Sequence, residues 1–171
     1  PSGGVQMSTS DTFPKDNAAL GRPDLAARHG APARIINMST IGDDLLKPAA
    51  PDFGPKVEAV IVYNANPVAV APESAKVVQG FARDDLFTVV LEQFQTDTAD
   101  YADYLLPATM RLEHWDIHTS YGHTDVLLHR PATAAPAPTR SNAWVFPELA
   151  RRMGADEPCL PHDAQARSPP A

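Results

Sequence analysis

The apolar positions of this chain gather in its middle. VEAVIVYN (57–64) is a continuous apolar run of strand length, the pattern of a parallel strand covered on both faces. PESAKVVQGFARDD (72–85) predicts a helix with Val77, Val78 and Phe81 inward, Pro72 near its first turn, and Gly80 as a mild weakness. LFTVVLEQF (86–94) predicts a second apolar strand. TDTADYAD (96–103) opens with good capping residues and predicts about two turns of helix. YLLPA (104–108) predicts a short third strand ended by Pro107. Strand, helix, strand, helix, strand in this order implies right-handed crossovers and a parallel sheet. The expected class is therefore α/β, a parallel sheet with flanking helices.

The flanks are less regular. INMSTIGDDLLK (36–47) predicts a short amphipathic helix, capped by Ser39 or Asn37, with Ile41, Leu45 and Leu46 on one face. Before it, NAALGRPDLAARHG predicts a short helix only if Pro23 lies at its start or in a break. After the centre, HTSYGHTDVLLHRP (118–131) predicts an irregular loop and a strand. TRSNAWVFPELARRMG (139–154) predicts a helix capped by Ser141 or Asn142 and ended at Gly154, with Trp144, Val145, Leu149 and Met153 at helical spacing. Pro147 sits awkwardly inside it, since an interior proline costs ~3 kcal/mol. Prolines crowd residues 1–72 and 131–171, which divides the chain into a Pro/Gly-rich lead-in (1–55), an α/β segment (56–158) and a disordered tail (159–171).

A net charge of −7 without a basic stripe argues against nucleic acid as a partner. No apolar run reaches bilayer length and no apolar leader is present, so a cytoplasmic location is expected. The single cysteine, Cys159, excludes an internal disulfide framework and cannot by itself hold a zinc ion or an iron–sulfur cluster.

In an open parallel sheet, ligands bind beyond the carboxyl ends of the strands. Asn66 after the first strand, Glu92 near the end of the second and Asp103 just before the third are the polar groups expected there. An amide with two donors and an acceptor, joined by carboxylate acceptors, matches a purine edge and a ribose diol. The plainer account is that Asn64 and Asn66 shape a turn, because Asn tolerates left-handed backbone geometry. No Gly-rich phosphate cradle follows the first strand. His114, His118, His123 and His129 fall in one window, and His114 and His118 have i, i+4 spacing beside Glu113 and Asp116. The surrounding HTSYGH is not helical and the H-E-x-x-H order is missing, so ordinary loop histidines are the simpler account and a histidine-based metal hydrolase a third reading. No G-x-S-x-G elbow supports a hydrolase triad. Tyr63, Tyr101 and Tyr104 are expected to pack.

YNANPVAVAP, followed by LFTVVLEQFQTDTADYADYLLPATMRLEH, resembles the large-subunit molybdopterin oxidoreductases of the dimethyl-sulfoxide-reductase type. These include formate dehydrogenases, nitrate reductases and biotin-sulfoxide-reductase-like enzymes. TDTADYADYLLPA followed by Glu113 is the most specific element, and SYGHT, SNAW and RRMGADEPC continue the match in order. The resemblance implies part of a Rossmann-like domain, incomplete here, that helps hold the guanosine end of a molybdopterin guanine dinucleotide carrying molybdenum. It implies cofactor-binding roles for Asn66, for Glu92 at a position usually aspartate, for Glu113, for His114 where other members use lysine, and for Asn142 at the start of the late helix. It also allows an iron–sulfur cluster in an N-terminal domain that this chain lacks.

The function expected is therefore that of a fragment of a molybdenum-dependent oxidoreductase, inactive alone. Its partners would be the remaining domains of the parent enzyme and a small-molecule redox substrate, without nucleic acid or a membrane span. No residue is assigned as catalytic or as a metal ligand. The alternative from another class is a stand-alone α/β module that binds a purine nucleotide without catalysis.

Overall fold

A computed structural model describes residues 34–119 and 125–154, together with the single residue Ala27. Apart from Ala27, the expected helix within 1–34 lies outside the described residues, as do His123, Cys159 and the tail (159–171). The chain divides into two compact units, one holding the described residues 36–113 and 133–154, the other Ala27, 34–35, 114–119 and 125–132.

The larger unit is built on three parallel strands in the order β1-β2-β3: β1 Ala59–Tyr63, β2 Phe87–Glu92 and β3 Tyr104–Pro107. Register pairs Val62 with Val90 and Tyr63 with Leu91, then Val90 with Leu105 and Glu92 with Pro107. Side chains alternate between faces along a strand, so Val62, Thr88 and Val90 share one side, and Ile61, Phe87 and Tyr104 the other.

Two helices cover the first side. α1 (Ile41–Leu46) follows a 3-10 turn at Met38–Thr40 that Asn37 caps, its side chain accepting from the Ser39 N–H at 2.9 Å. After β1 come a one-turn helix α2 (Pro67–Val70), which the apolar pattern did not predict, and α3 (Ser74–Phe81). Leu45, Val77, Phe81, Leu86, Val62 and Val90 form one buried cluster. Glycine sets how closely α1 and α3 approach. A Cβ on Gly80 would meet the Leu45 Cβ at 2.8 Å, and one on Gly42 would meet the Val77 backbone nitrogen at 2.8 Å. Gly80 lowers helix propensity but permits this contact.

Polar ties reinforce the layer. Lys76 Nζ bridges Asp43 (2.9 Å) on α1 and Glu73 (2.5 Å), and these two carboxylates hold its ammonium well above the usual lysine range. Arg83 donates from Nη1 to the Leu45 carbonyl (2.5 Å) and the Val57 carbonyl (3.1 Å), and from Nε to Asp85 at 2.8 Å. Arg83 and Lys56 together hold the Asp85 carboxyl well below the usual carboxylate range.

Several expectations change. The stretch 96–103 forms only a 3-10 turn at Ala99–Tyr101, and Ala102 is already extended. Thr98 and Asp103 make long-range bonds instead of helical ones: the Thr98 hydroxyl accepts from Val68 N–H at 3.1 Å and Asp103 Oδ2 from Thr88 N–H at 2.7 Å. α3 starts at Ser74, after Glu73 in the left-handed region (φ 55°), rather than at Pro72. Leu46, expected inward, is exposed.

The late helix α4 spans Asn142–Arg152 with Pro147 inside. Its inward residue is Pro147, with Phe146 meeting the Tyr63 ring edge-on at 4.9 Å, while Trp144, Leu149 and Met153 are exposed. Arg151 and Arg152 grip Glu148 and hold its carboxyl down to about 2. α4 thus touches the second side of the sheet near its carboxyl end, but among the described residues Ile61, Phe87 and Tyr104 on that side remain 46%, 49% and 62% exposed. The expectation of strands covered on both faces holds for the first face and, on the second, only in part: Leu91 is buried there at 3% exposure and Val89 is half-buried.

In the smaller unit, β4 (Asp116–His118) and β5 (Leu127–His129) pair antiparallel, giving two strands where one was expected. Arg130 stacks over Trp115 at 5.3 Å. No helix among the described residues is long and apolar enough to cross a membrane.

Candidate functional site

The carboxyl rim of the parallel sheet collects most of the amide and acid groups singled out by sequence. β1 ends at Tyr63, and Asn64 follows in the left-handed region (φ 52°), a geometry Asn accepts more readily than bulkier residues. Its side-chain oxygen accepts a 3.2 Å hydrogen bond from the Asn142 amide at the start of α4. The chain reaches Asn142 because Arg140 exchanges backbone bonds with the end of β3, donating to the Pro107 carbonyl (3.0 Å) and accepting from Thr109 N–H (3.2 Å). Asn142 Oδ1 is covered and, among the described residues, has no hydrogen-bond partner. Beside it, the Arg140 guanidinium lies over the Trp144 ring at 5.3 Å.

Asn66 has a different environment. Its Oδ1 accepts from the Thr98 hydroxyl (2.7 Å) and from Thr98 N–H (3.2 Å), and its Nδ2 donates to Asp97 Oδ2 at 3.1 Å. Its backbone carbonyl starts α2 by accepting from Ala69 and Val70 N–H, both at 3.1 Å. Thr98 is fully buried. Three of the amide's hydrogen-bonding positions are therefore engaged inside the protein, out of the two donors and the acceptor oxygen's two lone pairs.

Glu92 is the last residue of β2, paired with Pro107, and its Oε1 accepts from the N–H of Gln93 at 2.7 Å. Asp103 does not belong to this rim. It precedes β3, and in a parallel sheet the residue before a strand lies at the amino end, where Asp103 caps the ladder through Thr88 N–H at 2.7 Å. Glu113 accepts from Met110 N–H at 2.8 Å and closes the 3-10 turn at Arg111–Glu113. His114 falls in the smaller unit, at a bend rather than on a helix, so its spacing from His118 does not place two imidazoles on a helix face. His118 and His129 meet edge to face at 5.1 Å. Among the described residues no three His, Cys, Asp or Glu groups converge as a metal site.

Asp97 is the rim carboxylate that sequence reasoning passed over. The helix predicted over 96–103 encloses it, and nothing local marks it; its tie to Asn66 spans 31 positions.

Comparison with known proteins bears on the class. The family model for Molybdopterin oxidoreductase matches residues 37–152. The chain is 41% identical over 152 residues to "Probable oxidoreductase YoaE" of Bacillus subtilis, a match covering 89% of this chain and 21% of that protein. It is 30% identical over 167 residues to the dimethyl sulfoxide/trimethylamine N-oxide reductase of Rhodobacter capsulatus, covering 90% of this chain and 20% of that one. Among solved structures, acetylene hydratase from Pelobacter acetylenicus shares the fold, with a TM-score of 0.59 and 22% identity over 72% of this chain and 16% of that chain.

A parallel three-stranded sheet with its amide rim, matched by a family model over most of the described residues, makes this chain a member of the molybdopterin oxidoreductase family. It spans about a fifth of the length of these two curated relatives.

Proposed function

We propose that the carboxyl rim binds the guanosine part of a molybdopterin guanine dinucleotide, as one portion of a molybdenum-dependent oxidoreductase whose remaining domains complete the cofactor site. The observation that carries this reading is the gathering of Asn142, Asn64, Glu92 and Asp97 at one end of a parallel sheet, where ligands of such sheets bind. The donor set fits the group. Guanine offers a ring N–H and an amino group as donors and O6 and N7 as acceptors; the carboxylates accept, and the asparagines do both. When bound, the molybdenum–pterin unit supplies two-electron redox chemistry, while the protein binds, orients and tunes it electrostatically.

The residues have distinct shares in this reading. Asn142 and Asn64 form a continuous amide edge, and Glu92 places a carboxylate at the neighbouring strand end. Glu113 and His114 stand as further cofactor contacts through their positions in the family motif. The chain alone is a binding element without turnover.

Thermal unfolding of the chain with added guanosine monophosphate tests the reading, since a ligand that binds only the folded state raises apparent stability by about 2.7 kcal/mol at 100 times its Kd. The melting temperature should rise with guanosine monophosphate and less with adenosine monophosphate. Asn142→Ala should weaken the effect about tenfold or more in concentration, as loss of a ligand-facing hydrogen-bonding group does. Identical titrations for the two nucleotides, or an unchanged Asn142→Ala variant, would reject it.

A further inference from the structure

We propose that Asp97 is a ligand-facing carboxylate of this rim, and that Asn66 acts through Asp97 as a positioning residue instead of touching the ligand. This inference rests on the guanosine-binding reading above. The geometry assigns the roles. Asn66 Oδ1 is held by both the hydroxyl and the N–H of Thr98 (2.7 and 3.2 Å), and the same hydroxyl accepts from Val68 N–H (3.1 Å). These bonds, centred on the fully buried Thr98, lock the chain after β1 to the turn between β2 and β3. The lock fixes the direction of the Asn66 amide, whose Nδ2 donates to Asp97 Oδ2 at 3.1 Å.

The result is an exposed carboxylate held in one orientation at the rim. A side chain preset by its neighbours loses less freedom on binding than a mobile one. A carboxylate is an acceptor-only group with two oxygens, complementary to two adjacent N–H donors. Guanine presents that pair on one edge, its ring N–H beside its 2-amino group. Hypoxanthine has the ring N–H alone, so Asp97 is placed to discriminate between these two purines.

The test uses the full chain, three single variants and one double variant, with guanosine and inosine monophosphates as probes. Amide hydrogen exchange at Thr98 serves as a readout that needs no ligand. Asp97→Asn should lower guanosine monophosphate affinity at least about tenfold, as expected for a hydrogen bond to a charged acceptor, and shrink the preference over inosine monophosphate, with Thr98 protection unchanged. Asn66→Asp keeps an acceptor for Thr98 but sets a second carboxylate against Asp97. It should therefore preserve Thr98 protection while weakening guanosine monophosphate about as much, and should cost nothing further in the Asp97→Asn background. Asn66→Ala should lose both protection and affinity.

A wild-type chain that binds neither nucleotide overturns the guanosine reading and the Asp97 assignment with it. Wild-type binding that Asp97→Asn leaves unchanged overturns the Asp97 assignment alone. An additive loss in the double variant shows Asn66 touching the ligand directly and overturns its positioning role, and a protected Thr98 amide in Asn66→Ala overturns the lock.

Discussion

The two faces of the three-stranded sheet are made from the same kind of residue and have different fates. On one, Val62 and Val90 sit under Leu45, Val77 and Phe81, and the helices above them come so close that only glycine fits at positions 42 and 80. On the other, Ile61, Phe87 and Tyr104 are just as apolar but stay about half in water among the described residues. This side is covered near the carboxyl end, where Leu91 is buried and Phe146 of α4 meets Tyr63. Apolar composition along a strand therefore reports what a residue can bury against, and the helices present decide what it does bury. A large apolar patch left in water commonly marks an interaction surface, and the chain spans about a fifth of the length of its curated relatives.

The largest test of this contrast is Leu45→Ala. Leu45 is 1% exposed and supplies the surface on which Gly80 rests. Removing it deletes buried methylene groups and leaves a cavity between α1 and α3, a change that costs about 2–5 kcal/mol. Urea unfolding followed by circular dichroism should show the midpoint falling with the slope unchanged. A loss below about 1 kcal/mol would mean that the covered face is loosely packed, contrary to its burial.

Gly80→Ala should follow, with a loss of about 1–3 kcal/mol. Alanine normally favours a helix over glycine by about 1 kcal/mol, so propensity alone predicts stabilisation here. The new Cβ would lie 2.8 Å from the Leu45 Cβ and 3.0 Å from its Cδ1, which forces the helices apart or the leucine out of its rotamer. The sign of the measured change decides between local propensity and tertiary contact. A stabilised variant would show that α1 can retreat from α3 at little cost.

Much of this architecture was legible in sequence because the three strands are short, nearly unbroken apolar runs. Their order, parallel pairing and the inward positions of Val77 and Phe81 on α3 follow from that pattern. The region between β2 and β3 was not legible. Thr96 and Thr98 look like helix caps, yet Thr98 serves Val68 and Asn66, partners 30 and 32 positions away, and no local propensity encodes such bonds. Asp103 was assigned to the wrong rim for a geometric reason: proximity to a strand in sequence does not say at which of its ends the residue lies. On α4, helical spacing marked Trp144, Leu149 and Met153 as the inward face, but the sheet meets the helix at Phe146 and Pro147. For the candidate site, Asn66 and Asn142 were singled out by residue type and by family resemblance, whereas Asn64 was read only as a turn residue. The carboxylate of Asp97 was hidden by the mistaken helix around it.

Ile61→Ala should have the smallest effect of the three, a loss below about 1 kcal/mol. Isoleucine buried in a core costs about 2–5 kcal/mol when cut to alanine, but Ile61, beside its neighbour in register Val89, is 46% exposed and so about half in water already. The transfer free energy lost is therefore a fraction of the core value, and no closed cavity forms because solvent already reaches the site. β-Branching favours the strand, so part of even this small loss comes from backbone preference rather than burial. Adjacent positions on one strand make the comparison clean: Ile61 and the 6%-exposed Val62 share backbone surroundings and differ in the face they occupy. A loss at Ile61 matching that of Leu45→Ala would break the contrast, because it would require Ile61 to be buried against something outside the described residues.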